Sequence, residues 1–190
     1  MTLPGTIWPN SPFWTYSLDL YGRSGVKDAC LSLQERRGLD VNLVLWAFWL
    51  SSLGLVIDRT GMAAAEQRVS SFRTEVVQPL RAVRRQLRSI MKGRPSPIAA
   101  DWPDEVTRLG DQVAASELDG EHLIQLALER SSARFATGDA SGPALAADNL
   151  CVIASYDAGD RADLEALFAG AFPGASSSTL ARAFRSLSLP

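Results

Sequence analysis

Between Asp40 and Asp58 the chain runs seventeen residues, VNLVLWAFWLSSLGLVI (Val41 to Ile57), without a single charge. A helix made from this stretch is apolar nearly all round, so other protein must cover it on every side. The segment is at the short limit for a bilayer span. Asn42, Ser51, Ser52 and Gly54 interrupt it, and no cluster of Lys or Arg flanks either end. It therefore reads as a buried core helix, with peripheral membrane association as the weaker reading. The chain has 190 residues, 46% of them apolar, enough for one domain with a proper core.

Punctuation along the chain predicts helices throughout. Ser11-Pro12 is a cap followed by Pro at the first helical position, opening a helix to about Tyr21 that Gly22 stops. Ser24 can cap a second helix through Arg37, with Gly38 as its stop. Asp40 caps the apolar helix, about 41–54. A fourth helix runs from about Gly61 to Gln78, where Pro79 kinks it or starts another. Leu80, Val83, Leu87, Ile90 and Met91 then mark one stripe, with Arg81, Arg84, Arg85, Arg88 and Lys92 on the remaining faces. Gly93 to Pro97, GRPSP, reads as a break. A long helix follows from Pro103 to about Phe135, with Val106, Leu109, Val113, Leu118, Leu123, Leu126 and Ala127 as its apolar side. Shorter helices are expected at 143–156, 161–170 and 177–187. No segment alternates with period two, so no sheet is expected. The fold class is all-α: a single-domain helical bundle over 1–190, with a central helix (about 41–54) and a long helical hairpin (about 79–92 and 103–134). Residues 1–11 and 176–190 are expected to be loose ends.

Charge is segregated. Residues 73–94 hold seven basic groups and one acid, Glu75, whereas residues 101–129 hold eight acids and one base, Arg108. One reading is a binding strip for an acidic partner on Arg81, Arg84, Arg85, Arg88 and Lys92. The other is two antiparallel helices whose opposite charges face each other. No aromatic is interleaved between Arg73 and Lys92, which argues against single-stranded nucleic acid. The formal charge of −2 does not call for nucleic acid either. Seventeen of the nineteen basic residues are Arg, which a GC-rich genome explains as simply as phosphate recognition does.

Catalytic patterns are absent. His122 is the sole histidine, so no two-histidine metal site can form, and neither a nucleophile elbow nor a Gly-rich phosphate loop is present. Three D-x-x-D pairs occur, Asp101/Asp104, Asp157/Asp160 and Asp160/Asp163. Such pairs hold magnesium in all-helical prenyl-transfer enzymes, but here they fall at helix starts, where Asp is favoured as a cap. No catalytic residue, metal or cofactor is assigned, and the reading leans away from an enzyme. Cys30 and Cys151 read as two buried small residues in a reducing cytosol. No signal peptide is expected, because no basic residue precedes Arg23. The alternative to a binding strip is a small-molecule pocket, in a carrier or an enzyme, lined by Trp14, Tyr16, Gln34, Asn42 and Trp46.

Phe13 to Tyr21 (FWTYSLDLY), Gly25 to Gln34 (GVKDACLSLQ) and Gly38 to Leu45 (GLDVNLVL) closely resemble the signature of an uncharacterised bacterial family, the DUF2390 proteins. Val76-Val77-Gln78-Pro79-Leu80-Arg81 is similar to the family's middle. Members often carry Pro after the Arg of the first loop, where this chain has Ser24. The resemblance covers roughly residues 13–160. It implies a small, helical, cytoplasmic bacterial protein and brings no activity or site residue with it.

Overall fold

Ser11 and Pro12 begin the described helices as their chemistry dictates: the Ser11 hydroxyl accepts the Trp14 backbone N–H, 3.1 Å away. The structure, a computed structural model, describes residues 8–137 and 141–187. In chain order the helices are α1 (Pro12–Tyr21), α2 (Val26–Arg37), α3 (Val41–Ser52), α4 (Arg59–Phe72), α5 (Gln78–Met91), α6 (Pro97–Asp101), α7 (Pro103–Ser132), α8 (Pro143–Ile153), α9 (Arg161–Ala171) and α10 (Ser177–Ser186). The class is all-α. Among the described residues there is no strand, only a lone bridge between Leu55 and Thr137. The chain divides into two compact units: residues 1–62 with 132–190, and residues 63–131. Of the ends expected to be loose, residues 1–7 and 188–190 lie outside the described residues, as do 138–140 of the loop before α8.

In the first unit α3 is central. Asp40 caps it by accepting the Asn42 N–H at 2.8 Å. All ten residues from Asn42 to Ser51 are buried, and α1, α2 and α8 pack around them. Full burial of each large apolar side chain contributes about 1.5–3 kcal/mol. Aromatic contacts continue the core: Phe13 stacks on Trp49 at 5.2 Å, and Phe48 meets Phe168 edge-on at 5.1 Å. The helix stops at Ser52, two residues before the expected end. Gly54 there takes φ +70°, and the Leu55 N–H returns to the Leu50 carbonyl at 2.9 Å.

A second departure concerns the start of α2. Ser24 does not cap it; Gly25 does, at φ +79°, where no side chain reaches the orphan amides. That left-handed backbone favours glycine over every other residue. Likewise α8 stops at Ile153 rather than 156, because Ala154 is extended.

The uncharged segment after α3 carries backbone polar groups into the interior. Asn149 on α8, fully buried, satisfies them. Its side chain accepts the Ile57 N–H at 2.9 Å and donates to the Leu55 carbonyl at 3.0 Å, with a longer 3.5 Å contact to the Ala47 carbonyl. Trp46, also without exposure, donates its indole N–H to Ser132 at 3.0 Å and packs its ring near Phe135.

In the second unit α4 does not simply run into Pro79. Five residues, Arg73–Val77, form a wider π turn before α5. Proline lacks an N–H and its ring would strike the carbonyl four residues back, and an i to i+5 turn makes room for it. The GRPSP break also holds more than expected. Ser96 accepts the Ala99 N–H at 3.3 Å and Pro97 opens the short α6, the same device as Ser11-Pro12.

Replacing Asn149 with Leu keeps the volume but strands the Ile57 amide and the Leu55 carbonyl. The Asn149→Leu variant is expected to lose about 3 kcal/mol of stability, the combined cost of two unsatisfied buried groups. Urea denaturation followed by far-UV circular dichroism measures it, and a loss under 1 kcal/mol would contradict the clamp role.

Candidate partner-binding surface

The helical hairpin expected from the sequence is formed by α5 and α7 within the second unit, and they run antiparallel. Gly120 sets the approach, and Gly110 makes an ordinary contact further along. A Cβ on Gly120 would lie 2.9 Å from Val77 Cγ2, and one on Gly110 would lie 3.6 Å from the Met91 sulfur. The seam between these contacts is ionic. Arg84 pairs with Glu117 through Nε and through Nη2, the latter at 3.1 Å. Arg81 reaches Glu117 at 3.2 Å and also pairs with Glu121. Burial pushes the Glu117 carboxyl up, but hydrogen bonds from Arg84 and Arg81 outweigh it and hold the group below its usual value.

The basic strip therefore divides by role. Arg81 and Arg84 turn inward and are neutralised by α7. Arg85, Arg88, Lys92 and Arg94 stay exposed, and none forms an ion pair among the described residues. Opposite charges face each other at Arg81 and Arg84, and not at the later cations of the strip.

The buried side of α7 differs from the expected one. Leu109, Leu118 and Leu123 are exposed, while Glu117, His122 and Gln125 are buried beside Ile124 and Leu128. A carboxylate held between two guanidiniums can occupy a position that a hydropathy pattern assigns to solvent. Burial lowers the basicity of His122, against the opposing fields of Asp119 and Glu129.

The residues named for a pocket come from three helices, α1, α2 and α3. Trp14 and Tyr16 are two apart on α1, so they leave the helix roughly 200° apart. Both are half-buried, as is Gln34 on α2, and burial raises the Tyr16 hydroxyl to about 12. Asn42 and Trp46 share a face of α3, and both are buried within the core.

Two of the three D-x-x-D pairs have protein partners. Asp157 and Asp160 form a capping box, and Asp160 is fully buried. Arg36 pairs with Asp163 at 2.5 Å and Asp160 at 3.3 Å. Arg37 pairs with Asp157 at 2.5 Å and Asp160 at 3.0 Å. Asp101 ends α6 and Asp104 opens α7, both exposed. Among the described residues no group of three metal-binding side chains is assembled. Cys30 is buried as expected, with its thiol pushed up to about 12 by burial. Cys151 is not: it is exposed, near the Ser186 carbonyl at 3.4 Å, because it follows Ala144 and Asp148 along the exposed face of α8. Among the described residues no helix is long and apolar enough to cross a membrane.

Residues 12–128 match the family described as "Protein of unknown function (DUF2390)". The chain belongs to this family. The match spans α1 to most of α7, so it takes in both the apolar α3 and the α5–α7 hairpin. No curated protein and no solved structure matches the chain.

The low carboxyl pKa of Glu117 links the hairpin to pH. A depressed folded value contributes stability above the unfolded value, near 4.5, and that contribution is lost as pH falls through the folded value. Protection of α5 and α7 amides from hydrogen exchange should therefore drop on acidification below about pH 4.5. In Glu117→Gln that drop should shrink, and the hairpin should be weaker by about 2 kcal/mol at neutral pH. An unchanged acid profile in the variant would refute this coupling.

Proposed function

We propose that this protein is a non-enzymatic binding or adaptor protein of the bacterial cytoplasm. Its Arg-rich helix face, Arg85, Arg88 and Lys92 of α5 with Arg94 just beyond, holds an acidic segment of another protein. The observation that carries this reading is the contrast within one strip. Arg81 and Arg84 have carboxylates of their own chain, whereas the four cations after them are exposed without a counter-ion among the described residues. Arg85, Arg88 and Lys92, spaced by three and four, form one line along the helix. Such a strip favours encounter with an acidic surface and discriminates by charge.

A polyphosphate or nucleic acid fits less well. Asp101, Asp104 and Glu105 stand exposed at the same end of the hairpin, and the strip has no interleaved aromatic on which a base could stack. The cytoplasmic setting agrees with the two unbridged thiols, Cys30 and Cys151.

Affinity capture from the native host tests the reading. Wild type is compared with Arg85→Glu/Arg88→Glu/Lys92→Glu, and with Arg68→Glu on α4 as a control. The expected outcome is an acidic protein captured by wild type and by the control, lost with the triple variant, and released by rising salt. Equal capture by all three proteins would remove this surface as the site.

A further inference from the structure

The cationic flank of the hairpin has a second edge. Arg81 pairs with Glu121 on this side of the α5–α7 seam, which identifies the side on both helices. With about 100° per residue, Arg85, Arg88 and Lys92 of α5 fall on it, and so do Asp104, Asp111 and Leu118 of α7. Of the other α7 charges between Pro103 and Leu118, Glu117 faces the seam, Glu105 falls on the opposite flank and Arg108 falls on the side away from α5. The flank is thus sorted by helix, basic along α5 and acidic along α7. Arg85 and Lys92 are seven residues apart, and so are Asp104 and Asp111, and Asp111 and Leu118. Seven residues are two helical turns, roughly 10 Å, and bring each set to within about 20° of one line.

The Arg84–Glu117 pair sets the register of the hairpin and brings Asp111 level with the stretch from Arg88 to Lys92. Even so, Asp111 pairs with neither among the described residues. All six residues of the flank are exposed, Leu118 by 54%. The open stretch from Asp104 to Leu118 is about 21 Å long. It ends where His122 and Gln125 are buried. We propose, building on the acidic-partner reading, that this flank takes one helix of the partner protein, with acids along its edge over α5 and bases along its edge over α7. Charge complementarity carries the assignment. A helix that repeats its edge charges every seven residues meets both rows at once, as flanking charges do in coiled coils. An unmixed acidic segment would satisfy Arg85 and Lys92 but lie against Asp104 and Asp111. Leu118 and Ala114 are the apolar contact beneath such a helix, small enough that charge decides specificity.

Fluorescence anisotropy of labelled peptides titrated with the full chain at low ionic strength tests this. Three hydrocarbon-stapled helices share a Leu ridge and differ in their edges: Glu and Lys, Glu and Glu, or Lys and Lys. The mixed peptide is expected to bind about tenfold more tightly than either uniform one. Asp104→Lys/Asp111→Lys should make the all-Glu peptide the tightest binder, and Arg85→Glu/Lys92→Glu should do the same for the all-Lys peptide. Both variants should keep the wild-type circular dichroism, since all four residues are exposed. Binding of the all-Glu peptide to wild type as tightly as the mixed one would overturn the proposal while leaving the acidic-segment reading standing. So would a preference that Asp104→Lys/Asp111→Lys leaves unchanged. If Arg85→Glu/Lys92→Glu alters the binding of no peptide, both readings fall.

Discussion

Every residue of α3 from Asn42 to Ser51 is buried, and that burial leaves no side of the helix for water. The rest of the first unit follows from the need to cover it. α1 brings Phe13 to Trp49, α9 brings Phe168 to Phe48, and α10 extends the aromatic series through Phe184. Burying a whole helix also draws its connecting chain inward, where backbone amides and carbonyls need partners. Asn149 meets that need for Leu55 and Ile57. A single buried polar residue of α8 thus answers a demand created 92 to 94 residues earlier.

The second unit is built on the opposite terms. No residue of α5 is fully buried. Its attachment to α7 rests on guanidinium–carboxylate pairs at Glu117 and Glu121, beside the close approach of Val77 to Gly120. Such a hairpin leaves two long flanks uncovered, one cationic and one aliphatic. A helix pair that spends so little of its surface internally has that surface available for other molecules, which is why the functional argument concentrates here.

Helix type and order were legible from the start signals Ser11, Asp40 and Pro143, and from the stops at Gly22 and Gly38. The misses have physical reasons. Ser24 beside Gly25 offers two ways to begin a helix, and the left-handed backbone of glycine prevailed. Ser96-Pro97 carries the same start signal as Ser11-Pro12, but the surrounding Gly93 and Arg94-Pro95 made it read as a break. The π turn before Pro79 is a compromise between a continuous helix and a missing N–H, which no local propensity encodes. Glu117 could not be recognised as buried, because its position depends on arginines more than thirty residues away. Pairing across that distance is a tertiary fact.

Arginine itself illustrates what separates structure from binding in this chain. Arg36 and Arg37 face Asp157, Asp160 and Asp163, and the fully buried Asp160 forms ion pairs with both. Arg81 and Arg84 do the same for Glu117. Arg85, Arg88 and Arg94 are the same residue type within a few positions, yet among the described residues no carboxylate pairs with them. Composition counts all of these alike. The fold distinguishes them by whether the opposite charge is supplied among the described residues, as it is for the first four and not for the others, and the proposed recognition of an acidic segment is built on the others.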